Sequence, residues 1–421
     1  MKNHEPLIGS EIFEKLSSVN VINSILGDNT NTWNIQELKG GNLNQVDVIK
    51  SKKGSVCVKQ SLPYLRILGP DSKMPLDRII YENHAIKSHS LYTPNLIPNI
   101  FYFNSSLYLM VMEYFEDYLE LRKLLHTAKT CDFLARDIGH YLAHTIFLSS
   151  DLSLKPKERR LEAAKMAGNW GMYKWMEELS YTDPYIKQPR NSWNSPYLDK
   201  IAHEFRNDGV LKINVSILKE KYMSDHACLV HGDFHTDSIL VGKNDIKIID
   251  FEHAFYGPFG YDFGHLYGHL LLNYFSLKEY KNTEFTENNF DVWILKTIYE
   301  TWQYFVNNFN LLWETRRTGE AYSVKLFENS ENKKFSNTAK EIIIQRTLEN
   351  AIGFTGIEMV RRILTVGQVN DLERITSPEK RSRSEILCLK LGRNLIINFK
   401  EFKNISQLID MAQYLFHEEI L

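Results

Sequence analysis

Short runs in which apolar and polar residues alternate occupy the first part of the chain, and this period of two predicts β-strands. The predicted strands are residues 33–38, 46–50, 56–60, 101–103 and 107–112. Residues 76–90 interrupt the pattern with helical character, and the acidic segment 113–117 ends it. The pattern therefore predicts a strand-rich N-terminal lobe over residues 1–116.

The rest of the chain has apolar residues at helical spacing, apart from one central hairpin. The two longest stripes are Leu134, Ile138, Leu142 and Ile146, and then Ile344, Leu348, Ile352, Met359 and Ile363. Short apolar runs at 227–230, 239–241 and 246–249 predict the central strands. We assign the stripes to the core and predict a mainly helical C-terminal lobe over residues 117–421. The expected fold class is α+β, with two lobes.

Composition narrows the class of protein. The 421 residues are 43% hydrophobic and 24% charged, with a formal charge of -2, so no basic surface for nucleic acid is expected. No apolar run is long enough for a membrane helix, and the polar start lacks a signal-peptide core. The cysteines are Cys57, Cys131, Cys228 and Cys388, and no two of them form a CxxC pair. We expect reduced thiols in a cytoplasmic protein.

Two acidic clusters surround the central hairpin. HGDFHTDS begins at His231, and Asp250 in IIDFEHAFYGPFGYDFG lies seventeen positions after Asp233. Each acid follows a predicted strand, so both carboxylates are expected close together at one end of the central strands. Kinases place a catalytic aspartate beside a magnesium-binding aspartate in this way. We expect Asp233 to accept the proton of the attacking hydroxyl and Asp250 to bind Mg²⁺ that bridges the phosphates.

Three histidines lie in these clusters, at His231, His235 and His253. A zinc site is one interpretation, but no cysteine or glutamate has the spacing of a zinc finger or a zinc protease around them. We favour the other interpretation, in which His231 orients the loop through a backbone hydrogen bond.

The triplet Asp250-Phe251-Glu252 has an acid where protein kinases have glycine. Two carboxylates at this spacing can face one or two metal ions. The alternative is that Glu252 pairs with a nearby arginine or lysine. We favour metal binding because no neighbour in sequence offers such a partner.

The N-terminal lobe carries a second set of candidate residues. Gly40 and Gly41 lie between two predicted strands, where backbone amides can approach phosphate oxygens. Lys59 lies on the third strand and Glu82 on the next helix, the order of the kinase lysine–glutamate pair. Taken singly, these residues are typical of a hairpin turn, a solvated lysine and a surface glutamate. Their order relative to the two aspartates favours the nucleotide site.

The adenine of a nucleotide would lie at the hinge between the lobes. The residues there are Glu113, Tyr114 and Phe115, and their backbone groups would hydrogen-bond the base.

These motifs together resemble the methylthioribose kinase family, small-molecule kinases with a protein-kinase-like fold that are related to choline and aminoglycoside kinases. The resemblance covers nearly the whole chain. It is carried by GGNLNQVDVI, VKQSLPYLRILG, PLDRIIYENHAI, MVMEYF, HGDFHTDSI, DFEHAFYGPFGYDFG, EMVRRIL and LGRNL. Ser238, where the broader group has asparagine, and the string AFYGPFGYD are specific to this family.

The resemblance implies a reaction and its cofactors. That reaction is ATP-dependent phosphorylation of 5-methylthioribose at its 1-hydroxyl, which gives 5-methylthioribose 1-phosphate for methionine salvage. Asn42 and Lys59 would contact the ATP phosphates, and Asp250 and Glu252 would hold Mg²⁺. The family is typically a homodimer, so a homodimer is expected here.

The resemblance also implies the substrate residues. Asp233 would be the base and a sugar contact, and Arg361 and Arg362 would reach into the sugar site. Without the resemblance, the two arginines are typical of a solvated helix face. The chain departs from the family pattern at Phe251, usually proline, and at Asp237, usually glycine. We expect Phe251 to pack like the kinase phenylalanine, and Asp237 adds a third acid near the metal loop.

Two other functions remain open from the residues themselves. A kinase of another small alcohol, such as choline, homoserine or an aminoglycoside, would use the same acids. A cationic substrate needs an acidic pocket, however, and Arg361 and Arg362 oppose one. A binding module that has lost catalysis is disfavoured because the acids and Lys59 are all present.

Overall fold

An antiparallel sheet of five strands forms the N-terminal part of the protein. The computed structural model describes residues 6–38, 43–66, 69, 71–280, 289–329 and 331–418. The strands are β1 (Asn34–Glu37), β2 (Gln45–Lys50), β3 (Ser55–Gln60), β4 (Ile100–Asn104) and β5 (Leu109–Glu113). Their order in the sheet is β1-β2-β3-β5-β4. Each predicted strand is confirmed, with bounds that differ by one or two residues.

Helices cover both faces of this sheet. They are α1 (Ser10–Leu16), α2 (Asn20–Leu26) and α3 (Arg78–Tyr92). Alternation along β5 divides its side chains between two cores: Leu109 and Val111 pack with the apolar residues of α1 and α2, and Met110 and Met112 pack with those of α3. The sequence did not predict α1 and α2, because seven residues give only two turns of apolar pattern.

The C-terminal part is mainly helical, as expected. Its helices are α4 (Leu121–Leu125), α5 (Leu134–Leu148), α6 (Pro156–Met166), α7 (Trp170–Tyr181), α8 (Asp199–Asn207), α9 (Gly209–Ser224), α10 (Tyr261–Ser276), α11 (Phe290–Thr315), α12 (Lys333–Leu364), α13 (Asn370–Glu373), α14 (Pro378–Asn398) and α15 (Ser406–His417). The predicted stripes lie on α5 and α12 and are buried, except that Ile344 is only partly buried. No described helix is both long enough and apolar enough to cross a membrane.

Short strands between these helices position the two acidic clusters. They are β6 (Leu119–Glu120), β7 (Cys228–Val230), β8 (Ile239–Val241), β9 (Ile246–Ile248) and β10 (Phe255–Gly257). One small sheet has the order β6-β8-β9, and β7 pairs with β10, which the sequence did not predict. Because β7 ends just before His231 and β9 just before Ile249, both clusters follow strand ends on rigid supports.

Candidate active site

One buried carboxylate holds the backbone of the loop that follows β7. Asp262 accepts hydrogen bonds from the backbone N–H of His231 (2.8 Å) and of Gly232 (3.0 Å). Gly232 has φ +88°, and a Cβ atom there would lie 2.0 Å from the carbonyl oxygen of His253. Only glycine fits both the left-handed backbone and this close approach, so the loop has one shape.

His231 ties the two acidic clusters together. Its Nε2 lies 2.8 Å from the carbonyl oxygen of Ile249, and its Nδ1 accepts the backbone N–H of Asp233 at 3.3 Å. Burial lowers the pKa of His231 to about 4, and the Ile249 carbonyl only partly opposes this. The ring is therefore neutral at pH 7, with its proton on Nε2. The loop-orienting role expected for His231 is confirmed.

The carboxylate of Asp233 faces four potential donors. Oδ1 lies 3.3 Å from Nδ1 of His265 and 3.4 Å from Nη2 of both Arg361 and Arg362. Oδ2 lies 3.1 Å from Nε2 of His235. Burial raises the pKa of Asp233, but these neighbours, His235 first among them, outweigh it and hold the pKa well below its usual range. Asp233 is thus an ionised carboxylate at neutral pH.

Arg361 and Arg362 are not on a solvated helix face. Both share the buried carboxylate of Glu358, one turn earlier on α12. Their Nε atoms lie 2.6 Å and 2.7 Å from its two oxygens. The structure thus brings both predicted arginines to Asp233.

Asp233, His265 and Glu358 also form a group whose ligand atoms lie within 4.8 Å of one another, the geometry of a metal site. The surroundings do not suit a cation, however, because two guanidinium groups already contact the same two carboxylates. Among the described residues, no metal-binding group includes His231, His235 or His253, which disfavours the zinc interpretation of those histidines.

Lys59 forms ion pairs with one acid from each lobe. Its ammonium lies 2.7 Å from Oε1 of Glu82 and also pairs with Oδ1 of Asp250. Burial lowers the pKa of Lys59, but Asp250 and Glu82 outweigh this and raise it, so the lysine stays charged. Asp250 has the left-handed backbone angle φ 71° and a side chain that is 45% exposed. The structure therefore shows the Lys59–Glu82 pair that the sequence predicted, and it adds a contact of Lys59 with Asp250 that the sequence did not predict.

Glu252 has a partner that its sequence neighbours did not reveal. Its Oε2 lies 3.4 Å from Nε of Arg78 and accepts a 2.6 Å hydrogen bond from Nδ2 of Asn44. Arg78 in turn donates to Oδ1 of Asn44 at 2.6 Å. Arg78 and Glu252 are both buried. Glu252 therefore has the arginine partner that was the alternative to metal binding, and this partner comes from the other lobe and not from its neighbours in sequence.

Asp237 also finds a cationic partner. Its Oδ1 lies 2.8 Å from Nε of Arg122 on α4. The third acid of the loop is therefore neutralised by an arginine.

Phe251 packs as expected. Its ring lies 4.4 Å from that of His231 and 4.9 Å from that of His89 on α3, measured between centroids. The aromatic side chain thereby joins the catalytic loop to the N-terminal lobe.

The hinge begins at Glu113, the last residue of β5, and continues through Tyr114 and Phe115. The side chain of Glu113 accepts hydrogen bonds from the backbone and side chain of Asn99, at 3.2 Å and 2.8 Å. The rings of Tyr114 and Phe115 lie 5.3 Å from Lys50 Nζ and 5.6 Å from Lys247 Nζ. Gly40, Gly41 and Asn42 lie outside the described residues.

Four further residues of the site were not predicted: Arg78, Arg122, His265 and Glu358. A sequence signal existed for Glu358 alone. It stands three and four positions before Arg361 and Arg362, the spacing at which an acid meets a base on one helix face.

Several known proteins resemble this chain. Residues 35–279 match the model of the phosphotransferase enzyme family, and this match confirms the expected protein-kinase-like α+β fold. A methylthioribose kinase of Escherichia coli is 34% identical over 90% of this chain and 91% of its own length. Methylthioribose kinase 1 of Oryza sativa is 31% identical over 97% of this chain and 95% of its own. An ethanolamine kinase of Plasmodium vivax superposes with a TM-score of 0.48 at 13% identity, covering 92% and 91% of the two chains.

Proposed function

The chain belongs to the methylthioribose kinases of the phosphotransferase enzyme family, and from this we propose that it phosphorylates 5-methylthioribose at the 1-hydroxyl with ATP. The products would be 5-methylthioribose 1-phosphate and ADP, and the product would enter methionine salvage. The residues that carry the reaction are proposed below from their contacts.

One observation carries the proposal: His231 hydrogen-bonds the backbone at both acidic clusters, so Asp233 and Asp250 share one rigid frame. Asp233 faces two arginines, and Asp250 pairs with Lys59. A transferred phosphoryl group needs a hydroxyl acceptor on one side and phosphate-binding groups on the other. Asp233 supports the first role, and Lys59 with Asp250 supports the second.

The nucleotide side is proposed as follows. Lys59, held by Glu82, would contact the α- and β-phosphates, because its buried ammonium stays charged. The backbone at Glu113, the last residue of β5, and at Tyr114 and Phe115 would hydrogen-bond adenine. Asn42 is proposed as a phosphate contact from the resemblance alone.

Mg²⁺ fits Asp250 better than Glu252. The partly exposed carboxylate of Asp250 offers hard oxygen atoms, which Mg²⁺ prefers. Glu252 is buried, and Asn44 and Arg78 already engage its Oε2, so only its other oxygen can take part. When bound, the ion would neutralise charge that develops on the transferred phosphoryl group. We propose Asp250 as the main ligand and Glu252 as a second one.

Asp233 would act on the acceptor hydroxyl. The low pKa of Asp233 makes it a weak base, so early proton removal is not its role. A loose phosphoryl-transfer transition state needs little early deprotonation, and a carboxylate that orients the hydroxyl and takes its proton late suits it. His235 and His265 hold the two oxygens of Asp233 in place.

Arg361 and Arg362 support a sugar substrate. Their guanidinium groups contact Asp233, where the acceptor must lie, and they can donate to several hydroxyl oxygens. Asp233 and Glu358 are already paired with the two arginines, so neither acid is free to bind choline or an aminoglycoside, which are cations. A kinase of another small alcohol therefore remains an outcome of the test and not a second proposal.

A substrate panel tests the proposal. Purified enzyme with ATP and Mg²⁺ is given methylthioribose, choline, homoserine or an aminoglycoside, and ADP formation is measured together with the phosphorus NMR spectrum of the product. We expect turnover with methylthioribose and an anomeric phosphate signal. Turnover on choline without turnover on methylthioribose would contradict the substrate assignment. ATP binding without turnover on any acceptor would contradict catalysis.

The cellular compartment and the oligomeric state are also proposals. The four cysteines are free, which supports a reducing compartment such as the cytoplasm. A homodimer is proposed from the resemblance, and light scattering coupled to size-exclusion chromatography tests it.

A further inference from the structure

Glu358 holds the two substrate arginines by one edge. Nε of Arg361 lies 2.6 Å from Oε2, and Nε of Arg362 lies 2.7 Å from Oε1. Nη2 of Arg361 also lies 3.2 Å from Oε1. The Nη2 atoms of both arginines lie 3.4 Å from Asp233, a much weaker contact. Each guanidinium is therefore fixed through its Nε atom, and its Nη2 atom lies toward Asp233, while Nη1 of Arg362 donates to the carbonyl oxygen of Gly367 at 3.0 Å.

His269 holds Glu358 from behind. The Nε2 atom of this buried histidine on α10 lies 3.0 Å from Oε1 of Glu358. Its Nδ1 atom lies 3.0 Å from Nη2 of Arg122. A guanidinium can only donate, so Nδ1 must accept and the ring proton must lie on Nε2. His269 therefore donates to Glu358, and Arg122 fixes its tautomer.

Arg122 connects His269 to the catalytic loop. Its Nε lies 2.8 Å from Oδ1 of Asp237, and its Nη1 lies 3.5 Å from Oδ2 of Asp371. Its backbone N–H donates to the carbonyl oxygen of Thr236 at 3.2 Å. The contacts thus run from Asp237 through Arg122 and His269 to Glu358. The ring of His269 also stacks on that of His235, with 4.8 Å between centroids.

We propose that Glu358 is a positioning residue for sugar recognition, and that Asp237, Arg122 and His269 fix its orientation. The proposal rests on the sugar site proposed above for Arg361 and Arg362. Charge balance explains why the carboxylate is needed there. Two guanidinium groups next to each other repel, and Glu358 and Asp233 together supply the two compensating negative charges. Through this series of contacts, Asp237 would affect the fit of the substrate without facing the metal.

Kinetics of three variants test this proposal, each measured with methylthioribose varied at saturating ATP and with ATP varied at saturating sugar. His269→Phe keeps a ring against His235 but removes both hydrogen bonds. His269→Gln keeps one acceptor and one donor. Glu358→Gln keeps the size of the side chain but removes its charge. Glu385→Gln is the matched control, since Glu385 is a buried glutamate whose partners Asn194 and Arg381 lie outside this chain of contacts.

We expect kcat/KM for methylthioribose to fall roughly tenfold or more in Glu358→Gln and in His269→Phe, because small displacements of positioning groups have effects of this size. His269→Gln should recover part of the loss. The KM for ATP should change less than about twofold in all three. Glu385→Gln should match the wild type in both parameters.

Thermal unfolding of each variant shows whether it is folded, so a loss of activity through misfolding is recognised. A variant with a wild-type ATP KM and a raised sugar KM is folded, so its defect lies in the sugar site. The inference is wrong if His269→Phe and Glu358→Gln keep the wild-type kcat/KM for methylthioribose, or if their ATP and sugar KM values rise together. If the wild type does not turn over methylthioribose at all, the proposed function fails instead, and the two failures are thus distinct.

Discussion

Oε2 of Glu252 lies 3.4 Å from Nε of Arg78, so the second acid of the Asp250-Phe251-Glu252 triplet is paired with a buried cation of the N-terminal lobe. Asn44 contacts both side chains. The pair therefore joins the strand-rich lobe to the loop that follows β9.

Removing Arg78 should destabilise the protein strongly. In Arg78→Met the buried carboxylate of Glu252 loses its cation, and a broken buried pair costs about 3–5 kcal/mol. Urea unfolding measures the loss. Arg383→Met is the matched control, because Arg383 pairs with Glu379 on the surface, where such a pair contributes about 1 kcal/mol or less. Equal, small losses in both variants would mean that the Arg78–Glu252 pair is not a stabilising contact.

Glu252→Gln tests the second metal ligand. If the free oxygen of Glu252 contacts Mg²⁺, the neutral amide should raise the Mg²⁺ concentration for half-maximal activity by about 10-fold. A magnesium titration at saturating ATP measures this. An unchanged titration would leave Glu252 as a partner of Arg78 and Asn44 alone. Glu385→Gln again controls for the loss of a buried carboxylate.

Asp233→Asn should remove turnover and leave nucleotide binding nearly intact. The amide cannot take the hydroxyl proton, and loss of a general base typically lowers the rate by about 10²–10⁴-fold. Turnover and the Kd for ATP are measured separately. Asp245→Asn is the control, since Asp245 lies in the turn between β8 and β9 and bonds to Tyr118. A collapse of ATP binding in Asp233→Asn would show that the assigned role is wrong.

Arg362→Ala should raise the KM for methylthioribose more than the KM for ATP. The variant removes one of the two guanidinium groups that face Asp233. Steady-state kinetics with each substrate varied in turn give both values. The reverse ratio would place Arg362 at the nucleotide. Arg383→Ala, on the surface of α14, serves as the control.

Acid should destabilise the protein through His231. Its pKa falls from 6.5 to about 4 on folding, chiefly because of burial. Between pH 6.5 and 4 the unfolded chain binds a proton that the folded protein does not bind, so the free energy of unfolding must fall as the pH falls. The contribution of one such group approaches about 1.4 kcal/mol per pH unit.

Urea unfolding of wild type and His231→Gln across this range measures the effect. Asp262 opposes it, because burial raises the pKa of that carboxyl to about 6, but Asp262 is present in both proteins and cancels in the difference. The wild type should lose more stability than the variant as the pH falls. Parallel curves would contradict a neutral, buried His231.

Local pattern predicted the fold better than it predicted the partners of charged side chains. Strand alternation located β2, β3 and β5 within a residue or two, and strand ends located Asp233 and Asp250. Both features depend on neighbours in sequence. Lys59 and Glu82 were also predicted, because their order follows a known arrangement of strand and helix.

Pairs between distant segments were missed for a physical reason. Arg78–Glu252 and Arg122–Asp237 form only when the lobes and helices have packed, so no local spacing indicates them. Glu252 consequently looked like a free carboxylate in the sequence. Glu358 was the exception, since its helical spacing to Arg361 and Arg362 could have predicted that contact.

The strand Leu119–Glu120 pairs with Ile239–Val241, directly after Ser238, so the chain leaves the N-terminal sheet and joins the catalytic hairpin almost at once. Only residues 114–118 lie between the N-terminal sheet and this hairpin strand. The first two of these residues, Tyr114 and Phe115, are among those whose backbone is proposed to hydrogen-bond adenine. A substitution that stiffens them would slow the release of ADP while it tightens the binding of ATP. The short connection between the two lobes is therefore also part of the proposed adenine site.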